Sequence, residues 1–358
     1  MNKFTFTAEN TKLFSYTGSK AKYKTNFDNL HTQVKIKKVD TYIEAFGGSL
    51  ASMFHNLEHL ETNKIVINDI NPRLINLYKQ IQANPQEVIE VFELLEDTFQ
   101  SHIPKRLKGK GLIKDKKVRN KYLAHLRDFY NSARDFYNTS DFTTSQNAGT
   151  LLFLLQHNFN GVYNEAKKTG FYNISFNWNM KKINVESIVK NLMNLHKFFT
   201  DKEVVIECLD TSSLIQKYTE NNDIMIYLDP PYVDSKVGYS SKQTTDYNSV
   251  EAHLALLKSC EEFDYIMYSN NFNETINAKL QYSVEFSRTN GIAQNKQKKS
   301  KQEILGLIDN TYKIMPSVEA LLNDLELNKI KIMPTASSLI SANNIIATPQ
   351  KLNLLEVA

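Results

Sequence analysis

Along the chain, apolar and polar positions alternate in two distinct rhythms. Residues 42–46 form a β-like run that stops at Gly47-Gly48-Ser49, after which Leu50, Met53, Phe54, Leu57 and Leu60 recur at helical spacing. Residues 64–67 make a compact β-branched strand ending at Asn68-Asp69. Pro72 then suits the first turn of a helix through Leu74, Leu77, Tyr78 and Ile81. The pattern predicts a β-α-β-α unit. From 85 to about 199 it turns helical (Val88, Val91, Phe92, Leu95, Phe99; later Tyr122, Leu126, Phe129, Tyr130). The exception is 159–178, where aromatic and β-branched residues flank Lys167-Lys168-Thr169-Gly170 as in a hairpin. Strand character returns at 203–207, 223–228 and 265–269, with a helix around 252–260. The whole therefore reads as a parallel α/β sheet interrupted by a mainly helical insertion. The expected division is 1–84 plus 200–310 for the sheet, 85–199 for the insertion and 311–358 for an extension.

Composition adds a location for charge. The 358 residues carry 43 Lys and Arg against 39 Asp and Glu, a net +4, with 41% hydrophobic residues, a balance that favours a folded chain. Between 101 and 121, however, Lys105, Arg106, Lys108, Lys110, Lys114, Lys116, Lys117, Arg119 and Lys121 face Asp115 alone. Such a block is either a solvated loop or a contact for a polyanion. A second cluster, Lys296, Lys298, Lys299 and Lys301, follows the same logic. Cys208 and Cys260 are far apart without metal-ligand spacing, as expected of reduced thiols in a cytoplasmic protein. The start lacks a basic stretch leading into an apolar one. The longest apolar run, 151–155, is far below the roughly 20 residues of a membrane span, so export and membrane insertion are not expected.

The sharpest chemical signal is Asp229-Pro230-Pro231-Tyr232, directly after a strand. Two prolines remove two backbone donors and fix two φ angles, so the chain must leave the sheet as a rigid extended loop. That loop holds a carboxylate, a carbonyl and an aromatic face in fixed relation. An exocyclic amine on a nucleobase is a poor nucleophile because its lone pair is delocalised into the ring. Accepting both its hydrogens, on Asp229 and the Pro230 carbonyl, favours a pyramidal nitrogen, and Tyr232 can stack on the ring. A Pro-rich turn with no chemistry is the alternative, and context decides. Ligands of open α/β sheets bind at the carboxyl ends of strands, with glycines at one strand end and an acid about 20 residues later for ribose hydroxyls. Gly47, Gly48 and Asp69 fit that spacing, although Asn68 or Asn71 competes with Asp69 and a helix cap is the simpler role for Asp210. Tyr16-Thr17-Gly18-Ser19-Lys20 places an aromatic and a cation around a turn. His55-Asn56-Leu57-Glu58-His59 fits a zinc pattern, but Met53, Phe54, Leu57 and Leu60 need the other helix face. Both histidines are therefore expected on the solvated side.

In this order the motifs resemble those of the Dam-type, class D12, DNA adenine N6-methyltransferases. Tyr16 to Lys20 resembles the family's N-terminal cofactor motif, and Glu44-Ala45-Phe46-Gly47-Gly48-Ser49 its glycine motif. Asn68-Asp69-Ile70-Asn71-Pro72 is similar to the ribose-binding segment. Asn160-Gly161 through Asn173 and Phe176 resembles the recognition hairpin, and Asp229 to Tyr232 the catalytic tetrapeptide. The resemblance implies a Rossmann-like S-adenosylmethionine-dependent sheet with an inserted target-recognition domain. Tyr16, Lys20, Phe46, Gly47, Gly48, Asp69, Asp210 and Asp229 would surround S-adenosylmethionine. Asp229, Pro230, Pro231 and Tyr232 would hold a flipped adenine, and direct methyl transfer would need no metal.

Duplex DNA is the implied partner, contacted by Lys105, Arg106, Lys108, Lys110, Asn160, Tyr163, Lys167 and Lys168. Tyr163 and Tyr172 are either stack-filling rings or hairpin core. A cognate restriction endonuclease is a partner such enzymes can have, in a prokaryotic, phage or mobile-element context. The chain departs from the pattern at Tyr16, which replaces a tryptophan, in a glycine motif one residue shorter than the common form, and at Asn164, where relatives often carry arginine. Rival readings are cytosine N4 methylation, amine methylation of RNA or protein, a nucleic-acid-binding relative without catalysis, and a zinc hydrolase built on His55 and His59.

Overall fold

Strand pairing organises the molecule. A computed structural model of the chain describes residues 5–16, 18–103, 116–166, 168–178, 183–233, 247–289 and 300–311, all within one compact unit spanning Met1–Thr311. Among these residues seven strands form one sheet: β1 (Lys38–Glu44), β2 (Glu61–Asn68), β3 (Glu203–Glu207), β4 (Ile224–Leu228), β5 (Tyr265–Asn271), β6 (Tyr282–Thr289) and β7 (Ser300–Asp309). Their order is β3-β2-β1-β4-β5-β7-β6. The first five run parallel, and β7 lies antiparallel between β5 and β6. This is the doubly wound 3-2-1-4-5-6 order with one antiparallel strand added, a Rossmann-like sheet whose order reverses between β1 and β4.

Alternating side chains feed two cores, as the two-residue period of a strand requires. Tyr42, Ile65, Met225, Tyr227 and Met267 join one face, while Ile43, Val66, Ile226, Leu228 and Ile266 join the other. β4 is buried at every position, as a central parallel strand covered on both faces must be. The first face packs against α1 (Lys24–Val34), α2 (Ala51–Leu57), α3 (Pro72–Ala83), α4 (Pro85–Ser101), α5 (Lys116–Thr139), α6 (Ser145–His157) and α7 (Val185–Asp201). The second carries α8 (Thr211–Tyr218), α9 (Val250–Ser259) and α10 (Glu274–Asn277). α3 begins as its sequence suggests: the Asn71 side chain accepts from the Arg73 and Leu74 amides, and Pro72 occupies the first turn, where no amide is needed.

The stretch 85–199 contributes none of the seven strands. Its residues Phe92, Phe99, Leu126, Tyr130, Leu152 and Phe198 share the first core with the sheet. α7 packs on α3 and on β3. At 159–178 the backbone makes a short 3-10 turn, Phe159–Gly161, and two antiparallel bridges, Asn158 with Phe176 and Glu165 with Tyr172. β6 and β7 add two strands to those expected from the sequence, although Tyr282, Val284 and Phe286 alternate with polar residues as a strand does. Their antiparallel pairing places them at the sheet edge. Among the described residues no helix is long and apolar enough to cross a membrane.

Candidate active site

The pairing register levels the strand ends. Glu44 of β1 lies beside Ile67 of β2 and Tyr227 of β4, and Asn68 beside Glu207 of β3. Above those ends opens a cavity with about 970 Å³ of empty space, its open mouth included. Its wall holds Tyr16, Lys20, Phe46, Gly47, Gly48, Asp69, Asp210, Asp229, Pro230, Pro231 and Tyr232. Residues from five separate stretches of sequence thus meet in one place.

At one end, the Asp229 carboxylate accepts from Lys20 Nζ at 2.5 Å and from Ser269 Oγ at 2.9 Å. Lys20 is only 2% exposed, and its ammonium also donates to the Tyr232 hydroxyl at 3.1 Å and lies 5.2 Å from the centre of that ring. Ser269 in turn pairs with the buried Tyr227 hydroxyl at 2.8 Å. Asn270, fully buried, donates to the Pro230 carbonyl at 3.2 Å and accepts from the Val233 amide at 3.1 Å, clamping the Pro-Pro loop from both sides. The Pro230 carbonyl keeps a second lone pair for a ligand. Ser269 and Asn270 join the site without being among the residues expected from the sequence, where their only mark is that Ser269-Asn270-Asn271 is a polar run ending an apolar strand.

At the other end, Asp69 accepts from the Gly48 amide at 3.0 Å and the Asn71 amide at 2.9 Å. Burial raises its pKa, and those two N–H groups oppose the rise. Because Asn71 caps α3, Asp69 is left to brace the glycine loop and face the cavity. A methyl group on Gly47 would sit 3.1 Å from the Asn68 carbonyl, so only glycine passes there without displacement. Asn68 itself, 1% exposed, donates to the Ala45 and Leu209 carbonyls, each at 3.1 Å, and accepts from the Leu209 amide at 2.9 Å. It ties three strand ends together. Asp210 does both things the sequence allowed: it lines the cavity and caps α8, accepting from the Ser212 and Ser213 amides and the Ser213 hydroxyl. Those donors hold its pKa below the usual carboxylate range.

Beneath the floor, Glu44 is fully buried and accepts from Ser52 Oγ and Tyr42 Oη. Burial, opposed by those two hydroxyls and reinforced by nearby Asp229, pushes its carboxyl up to about 8. Between its ordinary 4.5 and about 8 the folded protein holds a proton that the unfolded chain releases, so stability falls as pH rises through that window. Glu44→Gln is expected to flatten the dependence of Tm on pH over this range; an unchanged slope would contradict the assignment.

Two expectations need correction. His55 does not sit on the solvated side of α2: it is 3% exposed, and its Nε2 faces the Lys20 carbonyl at 3.2 Å. His59 instead pairs with Asp28 at 2.6 Å. The short helix is buried on every face, because α1 covers the side an isolated amphipathic pattern leaves to water. No group of three His, Cys, Asp or Glu side chains among the described residues is placed to hold a metal ion. Secondly, Tyr163 and Tyr172 are each 1% exposed. Tyr163 meets Tyr137 at 3.2 Å and Glu165 at 2.9 Å, and Tyr172 meets Asn158 at 2.8 Å, so both rings are hairpin core and not a DNA-facing surface. Among the described residues of 159–178, the exposed aromatics are Phe159 and Phe171, at 47% and 42%. Asn160 and Lys168 are exposed. Thr17, Lys105, Arg106, Lys108, Lys110 and Lys167, together with 296–299 and the tail after 311, lie outside the described residues.

The family model for the D12 class N6 adenine-specific DNA methyltransferases matches residues 16–300, from the cavity mouth to the start of β7. The chain belongs to this family. It is 27% identical over 264 residues to the Type II methyltransferase M.MjaIII of Methanocaldococcus jannaschii, covering 71% of this chain and 81% of that one. It is also 23% identical over 265 residues to the Type II methyltransferase M1.LlaDCHI of Lactococcus lactis subsp. cremoris, covering 71% and 82%. The Modification methylase LlaI of Lactococcus lactis subsp. lactis aligns at 25% identity over 233 residues, 64% of this chain and 31% of the relative. This D12 methyltransferase is therefore a site-specific enzyme of DNA methylation, acting on the N6 amine of adenine.

Proposed function

We propose that S-adenosylmethionine is the methyl donor and that the cavity of this D12 methyltransferase holds it beside an adenine turned out of duplex DNA. The observation that carries this reading is the meeting of Asp229 to Tyr232 with Gly47, Asp69 and Asp210 in one cavity. The fit is chemical. Asp69 and Asp210 offer acceptors for hydroxyl or amine donors, Gly47 allows close backbone approach, and Phe46 supplies an apolar wall. When bound, the donor supplies an electrophilic methyl group on a sulfonium. The protein supplies the nucleophile's geometry. Asp229 and the Pro230 carbonyl accept the two N6 hydrogens, directing the nitrogen lone pair, while Tyr232 stacks on the base. Ser269, Lys20 and Asn270 keep these acceptors in place before the base arrives.

Residues 1–84 and 200–310 form the methyltransferase domain in this reading. Residues 85–199 serve as the target-recognition part, with the basic segment from Lys105 onward on phosphates and the hairpin in the major groove. Gly161 supports that placement: its backbone lies so close to Ser15 that a Cβ would meet the Ser15 carbonyl at 2.8 Å. This brings the turn that carries Phe159 and Asn160 against the residue preceding Tyr16 of the cavity. Phe159 is the exposed ring positioned to fill the gap an extruded base leaves. Phe159→Ala is expected to reduce base extrusion by roughly ten-fold, a fraction of the few kcal/mol that unstacking costs, read by 2-aminopurine fluorescence at the target. Wild-type fluorescence in the variant would remove Phe159 from this role.

A cytoplasmic site of action follows from the DNA substrate, and a cognate endonuclease partner accords with relatives named type II methyltransferases. Calorimetric titration of the full chain with S-adenosylmethionine tests the cofactor assignment. Saturable one-site binding, weakened in Asp69→Asn, is expected, and no binding by the wild type would refute it.

A further inference from the structure

The hairpin carries two faces with different fates. Tyr163, Glu165, Tyr172 and Phe176 point inward and are buried, while Phe171 and Asn173 are exposed and Asn164 is half-buried. The second strand is held rigidly. Asn138 of α5 exchanges two hydrogen bonds with the Tyr172 backbone, at 3.0 and 2.8 Å, and the Tyr130 hydroxyl donates to the Ile174 carbonyl at 3.0 Å. Between those two anchored residues stands Asn173, whose amide donates to the Asn164 carbonyl at 3.2 Å. Across the same pair the side chains also join, Asn164 Nδ2 donating to Asn173 Oδ1 at 3.0 Å.

An amide pair joined by one such bond has a fixed remainder. Asn164 Oδ1, an acceptor, and Asn173 Nδ2, a donor, make no hydrogen bond to the described residues. Exchanging the oxygen and nitrogen of both amides leaves one acceptor and one donor all the same. In the major groove adenine presents N7 as acceptor and N6 as donor, whereas guanine presents two acceptors, N7 and O6. An arginine offers two donors and suits guanine; this pair suits adenine and would set an amide oxygen against guanine O6.

We infer that Asn164 and Asn173 together are a specificity-determining element that reads an adenine other than the methylated one. The inference rests on the proposed placement of the hairpin in the major groove, and it assigns this enzyme a recognition sequence with an A·T pair besides the target. The methylated adenine is excluded as the base read, because its edge lies in the cavity when N6 meets Asp229.

The test uses the full-length wild-type enzyme and its cognate duplex, with 7-deazaadenine placed at one non-target adenine at a time to delete N7. A loss in kcat/KM of roughly ten-fold to a hundred-fold is expected at one position. Asn173→Ala, confirmed folded by its thermal transition, should lose sensitivity at that position alone. Equal rates on every substituted duplex, or a recognition sequence without a second A·T pair, would overturn the inference while leaving the methyltransferase reading intact. A wild-type enzyme that methylates no DNA would instead sink the reading beneath it.

Discussion

Asp229→Ala is expected to lower methyl transfer by at least about 10³-fold, the upper range for removing a preorganised electrostatic contact to the reacting group. The carboxylate is the acceptor that no neighbour can replace: the Pro230 carbonyl takes one amine hydrogen, and the remaining polar groups nearby, Lys20 and Ser269, are donors. The variant also leaves Lys20, 2% exposed, without its counter-ion, which carries a stability cost of several kcal/mol. Asp229→Asn removes the counter-ion as well but keeps the shape and an acceptor for Ser269, so the thermal transition of each variant, measured beside its transfer rate, separates the two effects. Both variants should bind S-adenosylmethionine to within roughly ten-fold of wild type, since Asp69 and the glycine loop lie at the other end of the cavity. Full transfer activity in either variant would be incompatible with the mechanism.

Asn68→Ala is expected to destabilise the protein by roughly 2–4 kcal/mol and to weaken cofactor binding at the same time. One buried side chain joins Ala45 after β1 to Leu209 after β3, and its loss leaves an N–H and two carbonyls of the partly buried strand ends without that partner. The loops carrying Phe46, Asp69 and Asp210 then lose their common anchor. Denaturant unfolding alongside calorimetry checks both parts, and wild-type stability in this variant would show that the three strand ends are held by something else.

How far the sequence reveals this enzyme depends on whether a residue's job is local. Asp229-Pro230-Pro231-Tyr232 announces itself because two prolines after an apolar strand have few other uses. The turn after β1 and the start of α3 are legible for the same reason. Residues whose role depends on the neighbouring strand are not. Asn270 acts through β4 and Glu44 through α2; the polar run that ends β5 marks the first as unusual without naming its partner, and nothing in the local pattern marks the second. The hairpin tyrosines look like ready surface aromatics until α5 is seen to cover them. Similarly, Tyr282, Val284 and Phe286 alternate as in a strand, but the antiparallel place of β6 and β7 at the sheet edge is set by pairing with β5. His55 shows the same limit from the other direction, since its burial is imposed by α1.

The most direct test of the account is nucleoside analysis, by mass spectrometry and single-molecule sequencing, of DNA from a methylation-free host expressing the full chain or its Asp229→Ala variant. N6-methyladenine at one short sequence, present with the wild-type chain and absent with the variant, is the expected result. N4-methylcytosine, or no methylated base at all with the wild-type chain, would contradict it.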